Sequence, residues 1–481
     1  MGRSRPPFRG AIRKTTPPYR IRTPTMTQPC HPADRQSHPT SRRAFLATSG
    51  MVAAGSAVAA MTVPRVHAAE DNTIRLALIG CGGRGSGAVG QALSVPGGPV
   101  QLYAMADLFE DRLDRSHGLL TGEFPGQVDV PPERRFLGFE SYRAAIDSLR
   151  PGDVAMLTGY VAWRPVQLEY AVEKGVNVFM EKSFGCDPPN ARRILRAGEE
   201  AEKKNLKIAA GLQCRHSPAR DALLKRLRDG EMGDLQLIRA YRMHSDIRLG
   251  PRREGEDELG YQIRNPVHFF WVSGGLFAEM TIHQIDEVCW IKDAWPVEAH
   301  GIGGRAPNNF DPSQNLDSYH IEYTFADGTK GIVDGRYRTG CHNEFATYFH
   351  TDRRAAQFSG DIHAATVRAY RDRRIEPDNL EWEPERDPLS PWQQQWNDFL
   401  SAIRRDEAFN QARYAALSNL ADIMGRAAVH SGRIVTWEEV MASEFRFCPG
   451  LDELTYDTPP PVEADADGRY PVPVPGEWTE T

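Results

Sequence analysis

Between residues 73 and 213, short apolar runs alternate with longer stretches whose apolar positions recur at helical spacing. The runs 73–80, 100–106, 153–158, 176–181 and 206–213 predict strands, and the stretches starting at 84 and spanning 142–149, 164–174 and 188–204 predict helices. Strands separated in this way by helices belong in a parallel sheet with helices on both faces. Beyond about 214 the pattern changes. A helix from Ser217 to Gly230, with a serine cap and a glycine stop, precedes strand-like runs at 235–244, 297–302, 318–325, 330–337 and 345–351. In the run 318–325, Tyr319, Ile321, Tyr323 and Phe325 alternate with His320, Glu322 and Thr324, as in a sheet with one covered face. Ala326-Asp327-Gly328-Thr329 supplies the hairpin turn to the next run, so these strands come in antiparallel style. Helices are predicted near 391–404 and 411–430. The tail after them, with Pro459-Pro460-Pro461 and alternating Pro471, Pro473 and Pro475, reads as an extended wrap or as disordered.

In a parallel sheet of this kind ligands sit beyond the carboxyl ends of the strands, which gathers Gly80, Asp107, Thr158, Glu181 and Gln213 on one edge. The first strand runs straight into Gly80-Cys81-Gly82-Gly83-Arg84-Gly85. The first glycine suits a tight strand-to-helix turn, the second lets backbone approach a pyrophosphate, and the third permits close packing of helix on strand. The helix beginning there points unpaired N–H groups and its positive dipole end at the phosphates. Asp107 closes the second strand at the distance expected of an acid that accepts hydrogen bonds from an adenosine ribose. Together these features predict a Rossmann dinucleotide site, with Gly80, Gly82, Gly85, Arg84, Asp107, Thr158 and Glu181 toward the cofactor. Asp107-Leu108-Phe109 favours NAD, because a carboxylate repels a 2′-phosphate, while Arg84 keeps NADP open.

A second group of residues carries polar chemistry. Lys182 follows the strand 176–181 at the same sheet edge, facing the nicotinamide end of a bound dinucleotide, where an ammonium can polarise a substrate oxygen. Gly274-Gly275 opens a helical stretch holding Glu279, His283 and Asp286. Residues i and i+4 share a face, so Glu279 can touch His283, raise its pKa and orient it as a general base. The same spacing also fits a packed histidine beside a stabilising acid. Metal ligation by Glu279, His283 and Asp286 lacks the second histidine that zinc usually takes, so no metal is expected.

Charge and composition narrow the classes of function. Residues 1–40 are rich in Arg and Pro, with Asp34 the sole acid and no apolar periodicity, and predict an unfolded leader. Ser41-Arg42-Arg43-Ala44-Phe45-Leu46, an uncharged small-residue stretch to Pro64 and Val66-His67-Ala68 resemble a twin-arginine export signal with its cleavage site. Residues 1–68 hold eleven of the 58 basic and one of the 64 acidic residues, so the mature chain carries 47 against 63, a formal charge of −16. Such a surface repels phosphate backbones and anionic lipid, which argues against nucleic-acid or membrane-surface binding. About 410 mature residues suggest two domains. The seven cysteines show no C-x-x-C or paired spacing, so neither a disulfide framework nor a zinc cluster is expected; one or two bridges stay possible after export, and most lie in apolar runs that favour buried thiols.

The chain resembles the Gfo/Idh/MocA group of oxidoreductases, named for glucose-fructose oxidoreductase, inositol dehydrogenase and rhizopine catabolism. The motifs that carry the resemblance are the glycine turn, Phe179-Met180-Glu181-Lys182, Gly211-Leu212-Gln213-Cys214-Arg215, Glu279-Met280-Thr281-Ile282-His283 and the Tyr470-Pro471-Val472-Pro473 region. The resemblance implies a leader with signal peptide at 1–68, a Rossmann domain at 69–213, an α/β domain on an open, mostly antiparallel sheet at 214–445, and an exported-type C-terminal extension at 446–481. It implies an NAD(P)-dependent dehydrogenase for sugars or cyclitols, with Lys182 polarising the substrate, His283 moving the proton and Glu279 as its acidic partner. Three departures stand out. Ser183 replaces the usual proline, Glu279 the commoner aspartate, and Thr158-Gly159-Tyr160-Val161-Ala162-Trp163 lacks the histidine of a T-P-x-x-x-H motif. Some relatives hold NAD tightly and use transient oxidation and elimination for net glycoside hydrolysis, and a non-catalytic dinucleotide sensor is a third class. Twin-arginine export implies a periplasmic or secreted protein with tightly bound cofactor, the export machinery and a sugar-like substrate as partners, and the open sheet implies a homo-oligomer.

Overall fold

A computed structural model describes residues 72–481; the leader and the twin-arginine stretch, residues 1–68, lie outside the described residues. The first sheet holds β1 (Ile74–Ile79), β2 (Val100–Asp107), β3 (Arg135–Leu137), β4 (Val154–Leu157), β5 (Asn177–Met180) and β6 (Ile208–Ala210) in the order β3-β2-β1-β4-β5-β6, with every pair parallel. Every residue of β4 and β5 is buried, so both faces of the sheet are covered. Tyr142, Ile146, Leu168, Val172 and Ile194 cover one face from the helices Ser141–Asp147, Arg164–Glu173 and Pro188–Lys203. Ala88, Val89, Leu113 and Leu120 cover the other from Gly83–Leu93 and Glu110–Glu123. That second face is completed from far along the chain. Helix Pro391–Arg405 brings Trp396, fully buried, into a stacked contact with Phe179 at 4.3 Å between centroids.

The second sheet has nine strands: β7 (Leu235–His244), β8 (Glu298–Gly304), β9 (Ser318–Thr324), β10 (Lys330–Tyr337), β11 (Glu344–Thr351), β12 (Ala355–Ser359), β13 (Arg368–Tyr370), β14 (Leu380–Trp382) and β15 (Val435–Thr436). Their order is β14-β13-β12-β11-β7-β10-β9-β8-β15; only β7 and β10 pair in parallel. The alternation along β9 holds: Tyr319, Ile321 and Tyr323 are buried while His320, Glu322 and Thr324 face outward. Helices Gly275–Lys292 and Ala412–Ser431 pack on the inner face. Helix Ala412–Ser431 is buried almost all round because it lies between this sheet and helix Pro188–Lys203, joining the two halves.

The C-terminal extension is an ordered wrap. Tyr470 is buried against Phe269, its N–H donates to the Pro312 carbonyl at 2.9 Å and its hydroxyl donates to Glu258. Farther on, Glu480 is buried between Arg426 and His430. The six cysteines among the described residues are all free, and Cys81, Cys186, Cys214 and Cys289 are buried, so no bridge forms. Among the described residues no helix is long and apolar enough to cross a membrane.

Candidate active site

The glycine turn is built as its chemistry requires. Gly80 has φ +98° and lies so close to Gly159 that a Cβ there would collide with its backbone. A Cβ on Gly85 would strike the Gly80 carbonyl and the Thr158 hydroxyl, so the third glycine lets the helix sit on the strand. Gly82 differs. Among the described residues a Cβ there would meet no atom within 4 Å, and the helix that follows, Gly83–Leu93, has no side-chain cap on its first N–H groups. Open space above an uncapped helix start suits a diphosphate, and one cavity there is lined by Gly80, Gly82, Asp107, Arg112, Phe139, Thr158, Tyr160, Trp163 and Glu279. Asp107 stands at the end of β2, accepting from the Cys81 N–H at 2.6 Å and the Phe109 N–H at 2.9 Å. Burial outweighs those bonds and raises its pKa. Thr158 locks the turn by donating to the Gly80 carbonyl at 2.7 Å.

Two of the expected cofactor contacts are engaged elsewhere. Arg84 Nε pairs with Glu181 Oε1 at 2.6 Å, and the other Glu181 oxygen accepts from the Lys182 N–H at 3.1 Å. Glu181 follows β5, on the opposite side of β1 from β2 and Asp107, so Arg84 leans away from Asp107. Arg112, whose charge acts on Asp107, donates to the Tyr160 hydroxyl.

Lys182 and Glu279 come together from the two halves of the molecule. Lys182 Nζ donates to Glu279 Oε2 and to the Glu279 carbonyl, both at 2.7 Å, with the side chains 22% and 14% exposed. The loop carrying Lys182 is held without the usual proline: buried Arg164 donates to the Ser183 and Gly159 carbonyls, and Asn419 accepts from the Phe184 N–H at 2.8 Å. Where the histidine of the family motif would stand, Trp163 packs edge-on against Tyr160 and Trp271 and makes that wall of the cavity aromatic.

The expected Glu279–His283 pair does not form, because Lys182 takes the carboxylate. The pKa of His283 is therefore pushed well down rather than up, first by burial and then by His363, Lys182, Arg242 and Arg220. Its Nδ1 is buried with no partner among the described residues. Asp286 also turns away, bound by Arg215 at 2.8 Å and by the Ser418 hydroxyl at 2.6 Å, which removes the Glu279, His283 and Asp286 metal set. Sequence reasoning missed Asp422, a fully buried carboxyl on helix Ala412–Ser431 that accepts from Thr281 at 3.5 Å. Burial, against the charge of Arg426 and with that of Glu279, pushes it up to about 7. It also missed Tyr160, Arg112 and His363; no local pattern marks any of them.

No protein-family model matches the sequence, and no curated protein matches it by sequence. Solved structures do match in fold. The scyllo-inositol dehydrogenase of Lactobacillus casei with bound cofactor NAD(H) and scyllo-inositol is 17% identical, with a TM-score of 0.56 over 76% of this chain and 99% of that one. The aldose-aldose oxidoreductase of Caulobacter crescentus is 14% identical, with a TM-score of 0.58 and coverage of 76% and 99%. The UDP-N-acetylglucosamine 3-dehydrogenase of Acidithiobacillus ferrooxidans is 18% identical, with a TM-score of 0.53 and coverage of 74% and 98%. At these identities the likeness establishes the fold alone: a parallel sheet followed by a mostly antiparallel one, shared with these neighbours over 74–76% of this chain.

Proposed function

We propose that the protein is an NAD(P)-dependent oxidoreductase that moves hydride between a nicotinamide and a carbinol carbon of a sugar or cyclitol. The observation that carries this is one cavity that begins at Gly80, Gly82 and Asp107 and ends at Glu279, whose carboxylate holds the Lys182 ammonium. Three neighbours of the same fold bear the names of sugar or cyclitol oxidoreductases, one of them with NAD(H) bound, which supports the substrate class. A bound nicotinamide dinucleotide supplies the hydride acceptor or donor. The uncapped N–H groups after Gly82 bind its diphosphate and the Asp107 carboxylate a ribose hydroxyl, which favours NAD over NADP. Lys182 donates to the substrate oxygen and steadies charge developing there, while Glu279 fixes the ammonium in place. His283, held neutral, has a lone pair free to take the hydroxyl proton during oxidation.

Export through the twin-arginine route to the periplasm or beyond, with the cofactor loaded and tightly held, is part of the same proposal and rests on Arg42-Arg43. Self-association through the outer face of the second sheet is proposed from its exposed Ile302. Turnover assays of the mature protein with free sugars, cyclitols and glycosides, with and without added NAD, test the activity. Reduction of added NAD by a free sugar or cyclitol is expected. Aglycone release with no net NADH would replace this reading with transient-oxidation hydrolysis, and dinucleotide binding with neither reaction would leave a sensor.

A further inference from the structure

With Glu279 and Asp286 engaged elsewhere, what packs against the His283 ring is a second imidazole and a thiol. His363 belongs to the turn Asp361–His363 that follows β12, and Cys214 to the turn Gln213–His216 that follows β6. The two rings lie 4.1 Å apart between centroids, Cys214 Sγ is 3.7 Å from His363 Nδ1, and one donor atom from each of the three side chains lies within 4.8 Å of the others. All three are buried. Tetrahedral bonds of about 2.3 Å to sulfur and about 2.0 Å to imidazole nitrogen set sulfur and nitrogen roughly 3.6 Å apart, the separation the Cys214–His363 pair already has. These donors lie far apart in sequence and converge only in the fold.

We propose that Cys214, His283 and His363 form a binding site for one divalent cation of the zinc class, beside the Lys182–Glu279 pair. One sulfur and two imidazole nitrogens select zinc or its borderline neighbours over magnesium and calcium, which take oxygen. His283 Nδ1 is buried and has no partner among the described residues, which leaves a ring nitrogen unused inside the cluster. His363 is placed by two successive non-glycine residues in the left-handed region, Ile362 at φ 51° and His363 at φ 58°, and Arg220 braces the turn by donating to the His363 carbonyl at 2.9 Å. Lys182, Arg242 and Arg220 face the cluster and oppose a dication. The buried Glu287 carboxylate, which accepts from the Thr347 and Ser359 hydroxyls, offsets part of that charge, and the Cys214 sulfur adds to this once its proton is lost to binding. On binding, the Cys214 S–H bond breaks, its proton leaves to solvent and a sulfur–metal bond forms, with no change of oxidation state.

Three protein ligands leave one tetrahedral position for water or a substrate oxygen, the pattern of catalytic zinc. The ion would polarise that oxygen alongside Lys182. This leaves the dinucleotide reading in place and reassigns only His283, which cannot be both ligand and proton acceptor. The test is a cobalt(II) titration of the chelator-stripped mature protein, followed by absorption. One equivalent is expected to produce an ultraviolet thiolate-to-cobalt band with the visible bands of tetrahedral cobalt. Cys214→Ser should abolish the thiolate band, His363→Ala should weaken binding roughly 100-fold or more, and replacing the exposed Cys341 by Ser should change nothing. Absence of these bands from the unmutated protein, or their survival in Cys214→Ser, would overturn the site. NAD binding is measured separately by calorimetry. NAD bound without cobalt would overturn the metal site alone, and cobalt bound without NAD would overturn the oxidoreductase reading alone.

Discussion

Replacing Glu480 by glutamine should destabilise the mature protein by roughly 3 kcal/mol, through a residue that touches neither cofactor nor substrate. Glu480 and Arg426 are both fully buried, with Arg426 Nε and His430 Nδ1 each 3.1 Å from Glu480 Oε1. Burial alone would raise the carboxyl pKa, but Arg426 and His430 outweigh it and hold the group at about 2, against an ordinary value of 4.5. That gap corresponds to roughly 3 kcal/mol, in line with the cost of about 3–5 kcal/mol for breaking a buried ion pair from one side. Because the folded pKa is depressed, this stability is fully present above pH 4.5 and is lost as pH falls through about 2, so neutral pH shows all of it. For about 410 residues the unfolding entropy near 0.9 kcal/mol/K makes the expected loss a Tm drop of about 3–4 °C by scanning calorimetry. Arg426 also donates to the Gly274 carbonyl at 3.0 Å and the Cys186 carbonyl at 2.9 Å, tying the start of the Glu279 helix to the loop after Lys182. Turnover should therefore fall along with Tm. A Tm unchanged at neutral pH would refute the argument that this carboxylate is ionised and anchors the tail.

Removing the ammonium with Lys182→Ala should lower kcat about 100- to 1000-fold while leaving NAD affinity within about twofold, read by steady-state kinetics and calorimetry. Asp107→Ala should weaken NAD by about tenfold and NADP much less, since the ribose acceptor goes and Arg112 stays; equal losses for both would remove Asp107 from the ribose. Stability should also fall as pH drops below 6.5. Burial depresses the folded pKa of His430 and of His268, so their contribution is complete above 6.5 and is lost downward through the lowered values. Each such group steepens the loss by up to about 1.4 kcal/mol per pH unit, and urea melts from pH 8 to pH 5 measure it.

Much of the first half was legible because backbone chemistry writes itself into residue type. Gly80 and Gly85 are glycines for reasons of space, and β4 and β5 are apolar throughout because helices cover both faces. β3, β13, β14 and β15 span two or three residues each, too few for any period to show. The contribution of Trp396 to the first sheet was hidden for a different reason: nothing local says that a helix near residue 396 returns to residue 179. The site divided along the same line. Lys182 and Glu279 were legible from sheet edge and helix face, but the spacing that put Glu279 within reach of His283 could not show Lys182 competing for the carboxylate from 97 residues away. For the same reason the pKa of His283 moved opposite to expectation: burial lowers it first, and His363, Lys182, Arg242 and Arg220 arrive from separate segments to lower it further.

The central claim is that the space over Gly82 holds a dinucleotide diphosphate. Gly82 has φ −76° and ψ 178°, extended backbone that any residue adopts, and a Cβ there meets no atom of the described residues within 4 Å. Gly82→Val should therefore fold with a Tm close to that of the unmutated protein while filling the phosphate space. Calorimetric titration with NAD is expected to show one site per chain in the unmutated protein and a loss of roughly 100-fold or more in affinity in the variant. Absence of saturable binding in the unmutated protein, or equal affinity in Gly82→Val, would contradict the account.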